Sequence, residues 1–353
     1  MVQPIADETI HHVASIDSLR GLAALSVFFF HMLSLYLPEA DIYRPWFFVF
    51  AGHEAVILFF VLSGFVLTLS NESVHITYQQ YTIRRIFRLY PAYYLSMLLS
   101  IVLFLLIKPM PLNQYTPWFN THFSNIQLSY TMLLKTLLLF TNEFNNINGV
   151  IWSLVYEVTI SILILPLIWR LNTNRSLVIV MLFYAIFFVQ RQFIHPSYVL
   201  IDKTIYFSVF FYMGNLVFRF RKKMVFLDSP IFIPLYILCY SSVYFSFGHG
   251  IFDKATIRDL LTGLGAVGFL CLVLYNRQIK QILDNKIIHF YGKISYSFYL
   301  LHIPIMYGVI YMYNGYVPLI IIMVIIFIIT TISSALSYYL IEKKFIRLGR
   351  ALT

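Results

Sequence analysis

The sequence predicts an all-α integral membrane protein with about ten transmembrane helices, and three observations carry that prediction. Of its 353 residues, 60% are hydrophobic and only 11% are charged, against roughly a quarter charged in an ordinary soluble domain. Apolar runs of about 17 to 25 residues recur from Leu19 to Leu340, each long enough to cross a hydrocarbon core of roughly 30 Å as a helix. Lys and Arg fall in short clusters between those runs, as cytoplasmic loops require under the positive-inside bias.

The runs begin near Leu19, Trp46, Leu89, Val150, Leu177, Thr204, Ile231, Leu260, Ile288 and Tyr316. A further apolar stretch, Tyr130 to Phe140, is about eleven residues long and too short to cross unaided. Charge decides its status. Ten spans put the clusters Arg84/Arg85/Arg88, Arg170/Arg175, Arg219 to Lys223, Arg277 to Lys286 and Lys343 to Arg350 all on the cytoplasmic side. An eleventh span at 130–140 would move Arg170/Arg175 and the cluster at 219–223 outside, against the bias. Both termini are therefore expected in the cytoplasm, with 130–140 as an interfacial or re-entrant piece packed against protein.

Residues 1–15 then form a cytoplasmic N-terminal tail, 16–341 one transmembrane domain, and 342–353 a basic cytoplasmic C-terminal tail. The segment Met1 to Asp17 has no basic n-region and no small-residue cleavage pattern, so the first span is expected to be retained. The loops on the outer side, Pro38 to Pro45, Lys108 to Ser129, Arg191 to Lys203, Gly248 to Thr256 and Asn314 to Tyr316, are too short for a separate catalytic domain. The net charge of +10 follows from the inner clusters and forms no continuous surface for a nucleic acid. Cys239 and Cys271 lie inside apolar segments without metal-ligand or redox spacing, and no metal site is read.

Chemistry must come from the polar residues inside the helices, where an ionisable group costs several kcal/mol unless it is paired or hydrated. His31 lies eleven residues beyond Arg20, about 16 Å along the axis, which puts Arg20 at the inner face and His31 near the midplane. Arg20 also reads as a snorkelling anchor, with Asp17 as a partner three residues earlier. Glu157, in Trp152-Ser153-Leu154-Val155-Tyr156-Glu157, reaches a similar depth of about 12 Å from its end. His53 and Glu54 are outer-half groups, and His302 lies about 20 Å into its helix. Histidines and carboxylates thus converge in depth on four helices, fit for general acid–base work or for a proton relay. Arg85 and Arg88, with Arg84 beside them, present guanidinium forks at i and i+3, a spacing suited to phosphate oxygens and equally to fixing orientation. His11, His12, His75, His122, His195, His249 and His289 fall in tails, loops or helix ends and are assigned no role. Neither GxSxG, HExxH nor a Walker-type glycine loop occurs.

These residues also carry a family resemblance. Ser15-Ile-Asp-Ser-Leu-Arg20-Gly-Leu-Ala-Ala-Leu-Ser-Val-Phe-Phe-Phe-His31 resembles the opening helix of the acyltransferase 3 family, whose hallmark is an Arg separated by ten residues from a His. Phe59-Phe-Val-Leu-Ser-Gly-Phe65 resembles its second-helix signature and Arg85-Ile-Phe-Arg88 its paired-arginine motif. Trp152-Ser-Leu-x-x-Glu157 and Ser295-Tyr-Ser-Phe-Tyr-Leu-Leu-His302 resemble its later motifs, in order, and the likeness spans about Ile16 to Ile341. Two features depart from some relatives: the C-terminal esterase-like domain that they carry is not expected here, where Thr353 follows soon after the last helix, and Ile57 and Leu58 stand where some have an acidic residue before the paired phenylalanines.

The resemblance implies a ten-helix fold in the plasma (inner) membrane, a cytoplasmic acyl-coenzyme A donor, acetyl-CoA in the simplest case, and an acceptor hydroxyl on an extracytoplasmic glycan. No permanently bound cofactor is implied; the partners are donor, glycan and membrane lipid, not nucleic acid. It further implies that His31 is essential and that Arg85 and Arg88 help bind the donor. The mechanism built on it uses His31 as general base or transient acyl carrier, with Glu157 orienting it and His302 or Tyr299 stabilising charge. Arg84, Arg85 and Arg88, with Arg20, hold the donor's phosphate end, while His53, Glu54, Trp152, Ser153 and Tyr299 are candidates for the acceptor or for charge stabilisation. The alternatives are a proton-coupled transporter or flippase of a glycan-related substrate, which would favour repeated broken halves that the sequence does not display, and a structural subunit without chemistry.

Overall fold

The computed structural model of the chain describes residues 5–38, 41, 47–73, 76–123, 129–139, 147–193, 199–244, 254–313 and 316–353. Parts of the expected outer loops at 38–45, 108–129, 191–203, 248–256 and 314–316 lie outside these residues, as do His75, His195 and His249. Within the described residues every regular element is helical and there is no strand, the arrangement that satisfies backbone hydrogen bonds without help from water.

In chain order the helices are α1 (Ile5–Ser34), α2 (His53–Ser73), α3 (Tyr78–Ile107), α4 (Pro117–Phe123) and α5 (Tyr130–Leu137). They continue as α6 (Ile151–Thr159), α7 (Leu165–Trp169), α8 (Thr173–Phe193), α9 (Val199–Phe220) and α10 (Ile233–Tyr240). The last are α11 (Lys254–Tyr275), α12 (Arg277–Leu283), α13 (Lys286–Tyr313), α14 (Leu319–Ser337) and α15 (Lys343–Ala351). Among the described residues, seven segments are long and apolar enough to cross a membrane: Ala14–Ser34, α2, α3, Ile151–Trp169, Thr256–Tyr275, α13 and Leu319–Ala351. They coincide with the runs beginning near Leu19, Trp46, Leu89, Val150, Leu260, Ile288 and Tyr316. The other three expected runs are helical as α8, α9 and α10, but fall outside this set by length or composition.

The short stretch that charge marked as non-spanning is α5, eight residues long, or about 12 Å of helix. Ser129 caps it by accepting from the Met132 amide at 3.1 Å; Phe140 lies outside the described residues. Five-residue π segments join α6 to α7 (Ile160–Ile164) and α14 to α15 (Tyr338–Glu342). The first sits just ahead of Pro166 at the start of α7, where a residue without an N–H forces the ladder to re-pair.

The chain divides into two compact units. The first comprises Met1–Ala23, Tyr43–Ile76 and Tyr156–Gly292, and the second Ala24–Ile42, Thr77–Val155 and Lys293–Thr353. In the first unit, α2 and α9 come together backbone to backbone: a Cβ on Gly64 would collide with the Phe211 carbonyl, and one on Gly214 with the Val61 carbonyl. Without a water-driven hydrophobic effect between helices, such close approach plus polar bonds is what holds them. The polar part is Thr68, whose Oγ1 donates to the Gly64 carbonyl at 2.7 Å and accepts from Asn215 Nδ2 at 2.9 Å and Trp169 Nε1 at 3.1 Å.

In the second unit the organising feature is Pro304, inside α13. Its missing N–H releases the carbonyl four residues earlier, that of Leu300. Ser96 Oγ on α3 donates to this oxygen at 2.7 Å and Asn148 Nδ2 at 3.0 Å, and Asn148 also donates to Ser96 Oγ at 2.8 Å. The freed acceptor thus ties α13 to α3 and to the turn before α6, beside the residues of the candidate site.

Candidate active site

The second unit brings His31 and His302 into direct contact. His31 Nδ1 lies 2.9 Å from His302 Nε2, with the rings stacked at a centroid distance of 5.1 Å and 21° between planes. His302 has no exposed surface and packs beside Phe28. Its Nδ1 is 3.2 Å from the Phe298 carbonyl oxygen one turn earlier. A carbonyl only accepts, so Nδ1 of His302 carries the hydrogen, and in the neutral ring Nε2 carries the lone pair. His31 must then donate from Nδ1, which leaves the lone pair of His31 on Nε2. The pair therefore fixes one tautomer of His31 and presents Nε2 as its basic atom, an orienting role like that of the partner behind a metal-bound or catalytic histidine.

The opposite face of His31 is covered by Trp118, stacked at 5.3 Å and 13°. Trp118 belongs to α4, which is held to the end of α1 by Thr116: its amide donates to the Leu35 carbonyl at 3.0 Å and its hydroxyl to the Ser34 carbonyl at 2.6 Å. Tyr299, one turn before His302 on α13, lies 6.0 Å from it ring to ring. Its hydroxyl is paired with Ser153 Oγ at 2.8 Å. A histidine pair, a tryptophan face and a tyrosine–serine pair thus come from α1, α4, α6 and α13.

The paired arginines sit on α3, whose start is fixed by a capping box between Thr77 and Gln80. Arg85 is only 6% exposed, while Arg84 and Arg88 are half-buried. Arg84 Nε donates to Thr353 Oγ1 at 2.7 Å and Gln80 Nε2 to the Thr353 carbonyl at 2.6 Å. The α15 helix reaches this position through Gly349, where a Cβ would meet Phe87 at 2.6 Å and the Arg84 Cα at 3.7 Å.

Of the residues singled out from sequence, His31, His302, Trp152, Ser153, Tyr299, Arg84, Arg85 and Arg88 belong to the second unit, and the structure joins His31 to His302 and Ser153 to Tyr299. Arg20, Glu157, His53 and Glu54 belong to the first unit. There, His53 Nε2 pairs with Asp259 Oδ2 at 2.9 Å, and Glu54 is 1% exposed. Among the described residues no cluster of His, Cys, Asp and Glu is arranged to hold a metal ion, and both cysteines are free thiols. Sequence reasoning missed Trp118, Asn148, Asp259 and Tyr206. Trp118 and Asn148 fall between spans, where an aromatic or an amide reads as ordinary loop, and Asp259 and Tyr206 near helix starts, where they read as interfacial.

The model of the acyltransferase 3 family, an acyltransferase domain, matches residues 13–339. The chain belongs to the acyltransferase 3 family. A protein of the Acidianus two-tailed virus named "Putative acetyltransferase ORF330" is 26% identical over 308 residues, covering 82% of each chain. No solved structure gives a significant match. Membership, together with seven apolar helices of spanning length, makes this a membrane protein of the acyltransferase class. As an acyltransferase 3 protein it holds both halves of the family hallmark on one helix, with the histidine half buttressed by His302.

Proposed function

We propose that the protein transfers an acyl group, acetyl in the simplest case, from cytoplasmic acyl-coenzyme A to a hydroxyl of an extracytoplasmic sugar or polysaccharide. The observation that carries this reading is the His31–His302 pair, which sets the tautomer of a histidine inside an apolar helix. In the direct route His31 Nε2 takes the proton of the acceptor hydroxyl as its oxygen attacks the thioester carbonyl. The carbon–sulfur bond then breaks and the leaving thiolate receives that proton from His31, so no net proton is released. In the covalent route Nε2 attacks the thioester carbonyl first, the carbon–sulfur bond breaks to release coenzyme A as the thiolate, and the acceptor oxygen then takes the acyl group from Nε2 while its proton goes to the thiolate. Trp118 shields one face of the ring and restricts water, which would hydrolyse either intermediate.

The donor's phosphates fit Arg84, Arg85 and Arg88 on α3 as planar forks for phosphate oxygens. The donor's pantetheine arm then runs from these arginines toward His31, which lies in the same unit. Within the second unit, Tyr299 with Ser153 is assigned to the developing oxyanion and Trp152 to the acceptor side. Ten spans with both termini in the cytoplasm, in the plasma membrane, belong to this proposal, the runs beginning near Leu177, Thr204 and Ile231 being the three beyond the seven long helices; of the third, α10 covers eight residues.

The test compares alkali-labile esters on surface glycans from cells carrying the intact protein, no protein, or His31→Ala at matched membrane abundance. Esters found only with the intact protein are expected, and they identify the acceptor. Equal ester levels in all three would overturn the assignment and direct attention to proton-coupled transport. Donor labelled in the acyl group separates the two routes: a labelled histidine after donor alone marks the covalent one.

A further inference from the structure

Away from the histidine pair, the first unit contains a second group of titratable side chains that the acyl-transfer chemistry does not use. Glu54 is 1% exposed, and neither carboxylate oxygen accepts a well-formed hydrogen bond, although its own backbone N–H acts on the carboxylate. The residue before it, His53, opens α2 with 35% of its side chain exposed, and its Nε2 is 2.9 Å from Asp259 Oδ2 on α11. The same oxygen accepts from the Tyr206 hydroxyl on α9 at 2.6 Å. The charges of His53, Asp259 and Arg258 act on Glu54, those of Asp259, Glu54 and Lys203 act on His53, and that of Glu54 acts on Tyr240 of α10. Phe207 packs against the His53 and Tyr206 rings, closing the group on its apolar side.

An ionised carboxylate shut off from water without a donor costs several kcal/mol. Of the fixed charges that act on it, Arg258 favours the carboxylate and Asp259 opposes it, and neither donates a hydrogen bond to it. A carboxyl that holds a proton brings its own donor and loses its charge. We propose that Glu54 is a proton-binding site within the first unit, and that His53, hydrogen-bonded to Asp259 and through it to Tyr206, is the group that exchanges the proton with the helix end. The step is balanced: the Glu54 carboxyl gives its proton to neutral His53, leaving a carboxylate and an imidazolium whose positive charge Asp259 holds, and the exposed imidazolium passes the proton to water. The unit would thereby change charge with the pH at that end of α2, α9 and α11. This inference is independent of the acyl-transfer reading.

The full-length protein in liposomes is treated with dicyclohexylcarbodiimide, an apolar reagent that modifies a membrane carboxyl through its protonated form, at steps across about pH 5 to 8. Adducts are mapped by peptide mass spectrometry. Glu54 should be labelled, several-fold more at the acid end than at the alkaline end, and Asp259→Asn should move the midpoint of that titration. Infrared difference spectra checks the same proton without reagent access: a carboxylic-acid carbonyl band should titrate in the intact protein and be missing in Glu54→Gln and retained in Glu54→Asp. Labelling of Glu54 that is equal at both ends, or the absence of both adduct and band, would overturn the proposal; a midpoint unmoved in Asp259→Asn would remove Asp259 from the exchange route.

Discussion

Two histidines 271 positions apart meet at 2.9 Å because each needs a partner that a membrane interior does not otherwise supply. Their contact has a direction: the Phe298 carbonyl makes His302 the acceptor and His31 the donor. Replacing His302 by Phe keeps a flat ring of similar bulk but removes the acceptor for His31 Nδ1. If His31 is the base, its tautomer is then no longer enforced, and ester formation should fall about 10- to 100-fold with the KM for acyl-CoA unchanged. His31→Ala should lose about 10²- to 10⁴-fold. Rates per amount of membrane protein decide this, and a His302→Phe variant as fast as the parent would refute the orienting role. Both histidines were legible in sequence, since an ionisable group in an apolar run stands out. Trp118 was not, because nothing in a loop tryptophan announces that its ring will cover His31; Trp118→Leu should raise acyl-CoA hydrolysis without acceptor relative to transfer, measured as thiol release.

At the scale of helices, the proline in α13 and the glycines between α2 and α9 show the same economy: a defect in one element becomes the contact to another. Pro304 releases the Leu300 carbonyl, and Ser96 and Asn148 take it up. Removing both donors in Ser96→Ala/Asn148→Ala leaves a buried carbonyl unsatisfied and should cost about 1–3 kcal/mol, read as a lower unfolding temperature in detergent. Adding Pro304→Ala to that pair restores an N–H for Leu300 and should recover part of the loss; further destabilisation would refute the account. In the first unit, Gly64→Leu puts a side chain where the Phe211 backbone lies, and overpacking of this kind costs about 1–3 kcal/mol. The Phe-Phe-Val-Leu-Ser-Gly-Phe segment was legible as a signature and α2 as a span. The job of its glycine was not, because Gly214 and Phe211 lie about 150 residues away and single-sequence patterns do not pair helices.

At the scale of the whole molecule, length and hydropathy recover seven of the ten spans expected from sequence; the remaining three depend on charge. Two of them are short among the described residues, Thr173–Phe187 and Pro230–Tyr240, and α9 carries Asp202, Lys203 and Arg219, so their place as spans rests on the positive-inside argument alone. The short α5 is the pivot, for if it crossed, everything from Arg170 to the C-terminus would change sides. Single cysteines in a Cys239→Ala/Cys271→Ala background resolve this, since both native thiols are free. Asn113→Cys in the segment before α4, Lys222→Cys after α9 and Lys344→Cys on α15 are all placed at exposed positions. With ten spans, an impermeant maleimide on intact cells should label only the cysteine at 113, and those at 222 and 344 should react only after the membrane is opened. Labelling at 222 in intact cells would mean that α5 belongs to an eleventh crossing. It would also put the Arg219 to Lys223 cluster on the side opposite Arg84, Arg85 and Arg88, and charge would then have misjudged the order of the helices.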